Sequence, residues 1–424
     1  MKILYVSQYF PPEMGAPAGR ASELSRLWAA DGHEVTVLTG FPNHPTGLVP
    51  PEYRRKLRHL VMSECVDGAK VVRTWLLPFP NRRAHERILS YSSFFASSAT
   101  TGMFLPRPDV VVASSPQLLV GLAGWWLARC KRVPFVFEVR DLWPESLAAV
   151  GAGSAHSLFY RMLARIAGFL YRRCDRLVVV TPAFRDYLVA HWQVPAEKIS
   201  VVENAVDTNL FNPRKSDPAL RSTLKAKNKF VVSYIGTLGM AHGLETVLEA
   251  ASLLQTKAPE VLFLLVGEGA EKENLISAAR SRGITNLRFL GQQPRESIPA
   301  YICASDACLV LLKRTELFKT VLPTKMLEFM ACGRPVILGV DGHARNIVEK
   351  ANAGIFIRPE NFHDLADAVI RLAENSPLRE SLGNNGRQYV MQHFSRRKTA
   401  NEYIGLLEDV LEKDNVSSSI AAAA

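Results

Sequence analysis

The stretch VVSYIGTLGMAHGLETVLEAA, residues 231–251, decides how the chain is read. It predicts a strand over 231–235 that turns at Gly236, a loop holding Gly239 and Gly243, and then a helix. Leu244, Val247, Leu248, Ala251 and Leu254 recur at helical spacing. The same alternation extends in both directions. Further strands are read at 261–266, 287–290, 307–312, 335–340 and 354–357. In the first half they fall at 3–7, 34–39, 71–76, 110–114, 135–139, 177–180 and 199–202, with helices such as 20–30, 83–101 and 158–173 between them. Apolar strands alternating with helices form parallel sheets covered on both faces. Two such runs predict an α/β chain of two doubly wound, Rossmann-like domains. The turn-rich ENAVDTNLFNP, 203–213, marks the junction, giving domains 1–205 and 206–395. In open parallel sheets ligands bind beyond the carboxyl ends of the strands, so the residues just after each strand are where chemistry is sought.

Composition narrows the function classes. The chain has 424 residues, 48% hydrophobic and 21% charged, the balance of a globular protein with more than one core. Its net charge of +11 is uneven: residues 1–205 hold 24 basic against 16 acidic side chains. That half favours an anionic partner. The basic residues are not interleaved with aromatics as a nucleic-acid platform requires, so no nucleic acid is expected. The six cysteines form no C-x-x-C pair, which suits a reduced, cytoplasmic setting. MKILYVSQYF enters a strand directly, so no signal peptide is expected. No membrane-spanning helix is expected either. The apolar run 118–128 is too short, and 88–106 carries seven Ser or Thr.

Several constellations carry the chemistry. In LPTKMLEFMACGRPVI, 322–337, a short and otherwise apolar helix keeps Lys325 and Glu328 one turn apart. An exposed ion pair is one reading, worth a few tenths of a kcal/mol. The other is a helix N-terminus turned to a phosphate, with the lysine adding charge and the carboxylate accepting from a ribose diol. The turn at Gly236, Thr237 and Gly239 lets backbone approach a phosphate, with His242 close by. LLVGEGAEKENL, 264–275, gives Gly267 and Gly269, but Lys272 stands where a dinucleotide site needs a third glycine. In the first half FVFEVRDLWPES, 135–146, sets Arg140 and Asp141 at a strand end. The loop 8–24 holds Gly15 and could carry Glu13 toward a substrate, and GFPNHPTG, 40–47, offers Asn43 and His44. No metal-ligand spacing, P-loop or G-x-S-x-G motif is present.

Together GHEVTVLTGFPNHPTG, FEVRDLWPES, YIGTLGMAHGLETVLEAA and LPTKMLEFMACGRPVI resemble glycosyltransferase family 4, whose members are retaining enzymes of the GT-B fold. The resemblance spans nearly the whole chain and is greatest to the WbuB-type branch, which builds surface polysaccharides and O-antigens. It implies two Rossmann-like domains facing across a cleft, acceptor-side first and donor-side second, with a last helix at 396–413 returning to the first domain. Glu328 matches the second Glu of the family's Glu-x7-Glu signature, which holds the donor ribose. The first falls on Thr320, which puts the handling of the donor sugar in question. The family's loop Arg and Lys fall on Thr237 and about His242, so Lys325 is the candidate for the missing charge. The family's catalytic-region His falls about at Arg140, which makes Arg140 and Asp141 catalytic candidates beside Glu13 of the first loop. Gly236, Thr237, Gly239, His242, Gly267, Lys325 and Glu328 are the donor-side candidates, and Gly15, Asn43 and His44 the acceptor-side ones.

The resemblance implies transfer of a sugar from a nucleotide-sugar, a UDP-sugar in this branch, to a polyprenyl-diphosphate-linked glycan. The nucleotide-sugar is then a substrate, and no cofactor or metal is expected. A nucleotide-sugar 2-epimerase of the same fold and a nonenzymatic binding protein remain as alternatives. Arg82, Arg83 and Arg87 before a helix with Phe94 and Phe95, and Arg161, Arg165 and Arg172 around Phe159 and Phe169, suit peripheral contact with an anionic membrane; ordinary crossover helices with solvated arginines read equally well.

Overall fold

The computed structural model describes residues 1–13, 15–44, 47–79, 83–149 and 157–423. The chain divides into two compact units, Met1–Glu203 with Arg397–Ala424, and Asn204–Arg396.

The first unit holds β1 (Lys2–Val6), β2 (Glu34–Gly40), β3 (Val61–Val66), β4 (Ala69–Thr74), β5 (Val110–Ser114), β6 (Phe135–Val139), β7 (Arg176–Val179) and β8 (Ile199–Val201). They form one sheet in the order β3-β4-β2-β1-β5-β6-β7-β8. Every neighbouring pair is parallel except β3 with β4. No strand is read at 61–66 from the sequence. Its residues alternate between exposed and half-buried because β3 is an edge strand joined to β4 by the tight turn at Asp67 and Gly68, so it lacks the apolar run of its neighbours.

One face of this sheet is covered by the helices Ala16–Ala30 and Arg396–Ala423. Trp28 meets Tyr403 edge-on with ring centroids 5.2 Å apart, and its indole N–H donates to the Ala400 carbonyl at 3.2 Å. Leu24, Leu407 and Val410 complete that core. Arg397 pairs with Asp31 at 2.6 Å. The apolar face of the last helix is thus what returns it to the first sheet. On the other face the helices Ala84–Met103, Leu118–Lys131 and Leu158–Arg173 pack side by side.

The second unit holds β9 (Phe230–Ile235), β10 (Val261–Val266), β11 (Leu287–Leu290), β12 (Ala307–Leu311), β13 (Val336–Gly339) and β14 (Gly354–Phe356). The order is β11-β10-β9-β12-β13-β14, all parallel. One core packs against the helix Glu245–Lys257 through Val247, Leu248, Ala251 and Leu254. The other packs against the helix Thr324–Ala331 through Met326, Leu327, Phe329 and Met330. With both faces buried, β9, β10 and β12 are buried at every position, which is why they read as unbroken runs.

Among the described residues no helix is long and apolar enough to cross a membrane. Arg82 lies outside them. Phe94 is buried in the core, where helix packing claims it, so it is withdrawn from any membrane contact.

Candidate active site

The chemistry of the second unit gathers where β9 ends. Tyr234, fully buried in that strand, donates its hydroxyl proton to the Thr237 carbonyl at 2.7 Å. The same hydroxyl accepts from Lys325 Nζ at 2.7 Å, and Nζ lies 3.9 Å from the ring centroid. Lys325 is in the first turn of the helix Thr324–Ala331, whose leading N–H groups point out of the helix end. Gly236 makes this approach possible. Its φ is +145°, and a Cβ there would stand 2.7 Å from Nζ. Burial pushes the Lys325 ammonium down to about 7, with Glu328 acting in the opposite sense. Burial, helped by Lys325, pushes His242 down to about 3, so its ring is neutral near pH 7. That ring sits edge-on to Tyr234 at 5.8 Å, with Nδ1 3.3 Å from the Gly239 carbonyl.

Glu328 lies one turn deeper and pairs with Arg295 at 3.3 Å. Arg295 in turn lies over the Phe211 ring at 5.1 Å. Each of the two helix charges therefore has a protein partner from another element, and both side chains are at least half-buried, unlike an exposed surface pair. Thr320, at the end of the turn Leu317–Thr320, donates its hydroxyl to the Leu317 carbonyl. Gly267 follows β10 and lies against the Gly236 turn. Its neighbours hold the 236–238 loop through Gly236 N–H to Val266 O and Leu238 N–H to Glu268 O, both 2.9 Å. Thr237 is exposed, while Gly236 and Gly239 are half-buried.

In the first unit the predicted loops converge, but Glu13 does not present its carboxylate to solvent. It is buried, accepting the N–H groups of Asn43 and His44 at 2.9 Å each and of Phe10 at 3.3 Å. It clamps the 8–13 and 41–44 loops together, and burial raises its carboxyl to about 7. Gly15, at φ +129°, opens the helix Ala16–Ala30. His44 packs against Tyr9 at 4.9 Å, and burial lowers it to about 4. Asn43 donates its amide to the Phe41 carbonyl. Arg140 donates its backbone N–H to Ser115 Oγ at 2.8 Å, while its guanidinium Nε is buried without a partner. Burial lowers it from the usual arginine range. Asp141 beside it is exposed.

Sequence reasoning misses two groups. Tyr234 and Arg295 reach the site from 91 and 33 residues away from their partners, and neither carries a local signal. The buried pair of Arg20 and Glu138, 2.8 Å apart, does carry one: a glutamate inside the apolar strand FVFEV needs a cation. Among the described residues no three His, Cys, Asp or Glu side chains are grouped to hold a metal.

Residues 15–205 match the model of the glycosyl transferase 4-like domain, and residues 216–389 that of glycosyl transferases group 1. The chain is a glycosyltransferase, each of its halves matching a glycosyltransferase domain. Among relatives of this glycosyltransferase, WcaI of Escherichia coli, named for colanic acid biosynthesis, is 26% identical over 95% of this chain and 99% of its own. WbjE of Pseudomonas aeruginosa, named a probable glycosyltransferase, is 23% identical over 73% of this chain and 77% of its own. Sucrose-phosphate synthase of Thermosynechococcus elongatus superposes with a TM-score of 0.77 at 20% identity, over 97% of this chain and 99% of the other. HepE of Anabaena, solved with UDP-glucose, superposes with a TM-score of 0.69 at 20% identity, over 96% of this chain and 100% of the other. The fold of this glycosyltransferase is GT-B.

Proposed function

We propose that the chain is a retaining glycosyltransferase that moves a sugar from a UDP-sugar to a polyprenyl-diphosphate-linked glycan in surface-polysaccharide or O-antigen assembly. The observation that carries this reading is the Lys325 ammonium held at the Gly236 turn, one helical turn from Glu328. The diphosphate takes the backbone of Gly236, Thr237 and Gly239, the N-terminus of the helix Thr324–Ala331 and the Lys325 charge. Glu328, fixed by Arg295, accepts from the ribose hydroxyls. Gly267 supports the turn, and His242 offers a neutral ring.

In the transfer the bond from the anomeric carbon to the diphosphate oxygen breaks, and a bond to the acceptor oxygen forms on the same face. The acceptor proton passes to the departing phosphate oxygen. Stabilising the charge on that leaving group is the main catalytic task, and this reading assigns it to Lys325 and the helix end, with no metal called on. Arg140 and Asp141, at the carboxyl end of β6, serve the acceptor side with His44, Asn43 and Gly15. Glu13 supports that side as the clamp of its loops. The UDP and UDP-glucose complexes of HepE and the name of WcaI support the donor and pathway classes.

The test is thermal stabilisation by UDP, GDP, ADP and dTDP. At 100 times its Kd a nucleotide adds about 2.7 kcal/mol. UDP should stabilise the wild type and fail on Glu328→Ala, and Lys325→Ala should bind it at least tenfold more weakly, as expected for a lost charged contact of about 1.5–3 kcal/mol. No shift with any of the four removes the reading.

A peripheral position at an anionic membrane, on the cytoplasmic side, belongs to the same proposal. On the helix Leu158–Arg173, Leu158, Phe159 and Met162 are 76%, 41% and 48% exposed beside the exposed Arg161, Arg165 and Arg172. Apolar side chains among arginines match the acyl–headgroup boundary. The protein should float with phosphatidylglycerol vesicles at low salt, and Arg161→Glu with Arg165→Glu should release it. Equal recovery with neutral phosphatidylcholine vesicles, or no flotation, overturns the contact.

A further inference from the structure

We propose that Tyr234 is a positioning residue for the donor diphosphate: its hydroxyl fixes the Lys325 ammonium under the Gly236 turn and ties it to the Thr237 carbonyl. This rests on the donor site proposed above.

Lysine is a flexible cation whose four-carbon stem loses rotamer freedom whenever its end is held. A site that relies on one such charge gains from fixing it before the ligand arrives. Tyr234 has the geometry to do so. Its proton is committed to Thr237 O at 2.7 Å, so the oxygen lone pair faces Nζ, also at 2.7 Å. The ring adds a second constraint, with Nζ 3.9 Å from its centroid. Burial keeps the phenol protonated well above its ordinary range, so these donor and acceptor roles hold at neutral pH. The absent side chain of Gly236 leaves the space that Nζ occupies, and His242 closes the edge of the Tyr234 ring.

One hydroxyl therefore couples a residue of the helix to a residue of the turn. Nζ makes one hydrogen bond among the described residues, so in the ammonium form, which an incoming anion favours, two of its three donors remain for that anion. Tyr234 itself is buried and is not assigned a contact with the ligand.

The experiment is a double-mutant cycle on affinity for UDP, or for whichever of the four nucleotides stabilises the wild type, read by calorimetry. Tyr234→Phe retains the buried ring and removes only the oxygen. It should weaken binding roughly tenfold, the order for a hydrogen bond to a charged group. In a Lys325→Met background the same change should cost nothing, because the tyrosine acts through the lysine. An effect of equal size in both backgrounds, or no effect in either, overturns the assignment. If the wild type binds and the cycle is additive, Tyr234 loses this role while the donor site stands. If the wild type binds none of the four, both fall.

Discussion

Glu138→Ala should destabilise the N-terminal unit by about 3–5 kcal/mol, the cost of stranding one member of a buried ion pair. Glu138, on β6, and Arg20, on the helix Ala16–Ala30 that covers the sheet, are 0% and 1% exposed. Arg20 donates Nε–H to one carboxylate oxygen at 2.9 Å, with Nη2 2.8 Å from the same oxygen, while Nη2 and Nη1 donate to the Val202 and Glu203 carbonyls at 3.0 Å each. The other oxygen accepts from Ser114 at 2.5 Å and Tyr5 at 3.1 Å. Deleting the carboxylate leaves a guanidinium in the core with no counter-ion. It also removes the carboxylate that acts most strongly on Arg140, two residues further along the chain, and raises the positive field there. The double replacement Arg20→Met with Glu138→Leu should cost far less than the sum of the single ones, because it leaves no buried charge unpaired, although the Ser114 and Tyr5 hydroxyls and the Val202 and Glu203 carbonyls lose a partner.

The pH dependence has a definite sign. Burial alone raises Glu138, but Arg20, Arg140 and the hydroxyl of Ser114 together hold it below its ordinary value of 4.5. Its contribution is therefore present above that value and lost as the pH falls through the lower folded one. Denaturant unfolding of wild type and Glu138→Ala, followed by a probe in each unit, reads both effects. A single-site loss under about 1 kcal/mol would mean that water or relaxation reaches Arg20.

The two sheets are legible because their strands are buried on both faces. The strands at 110–114, 135–139 and 261–266 have the bounds their apolar runs predict. The edge strand β3 is not, since an antiparallel edge needs no such run. The helix at 16–30 begins four residues before its apolar period does, because Pro17 in its first turn suits a helix start that periodicity cannot mark. In the site proposed for the donor, Gly236, Lys325 and Glu328 are legible from strand ends and from a charge pair in an apolar helix. Tyr234 is not, since a tyrosine inside a buried strand reads as core, and its hydroxyl matters only through what 325 and 237 bring to it. Glu13 misleads for the converse reason. A carboxylate in a glycine- and proline-rich loop looks available until the folded chain aims three backbone N–H groups at it.

Gly267→Ala should abolish nucleotide binding and destabilise the C-terminal unit by on the order of 3 kcal/mol or more, through backbone strain plus overpacking. At φ +146° the position is closed to ordinary side chains, and a Cβ there would stand 2.0 Å from the Gly236 carbonyl oxygen and 2.9 Å from its carbon. Neither neighbour is a movable side-chain end; both belong to the turn that houses Lys325 Nζ. The alanine must therefore push Gly236 away from β10, break the Gly236 N–H to Val266 O bond and shift the one backbone gap that the ammonium fits. Gly283→Ala is the control. It also has positive φ, +63°, but open space around its Cβ, so only the left-handed backbone penalty of about 1–2 kcal/mol applies. Thermal unfolding with and without UDP separates the two. Gly283→Ala should retain the ligand shift on a slightly less stable protein, whereas Gly267→Ala should lose it even at temperatures where the unit is folded. Retained UDP stabilisation in Gly267→Ala would mean that the diphosphate does not lie on the Gly236 turn, and would move the donor away from Lys325.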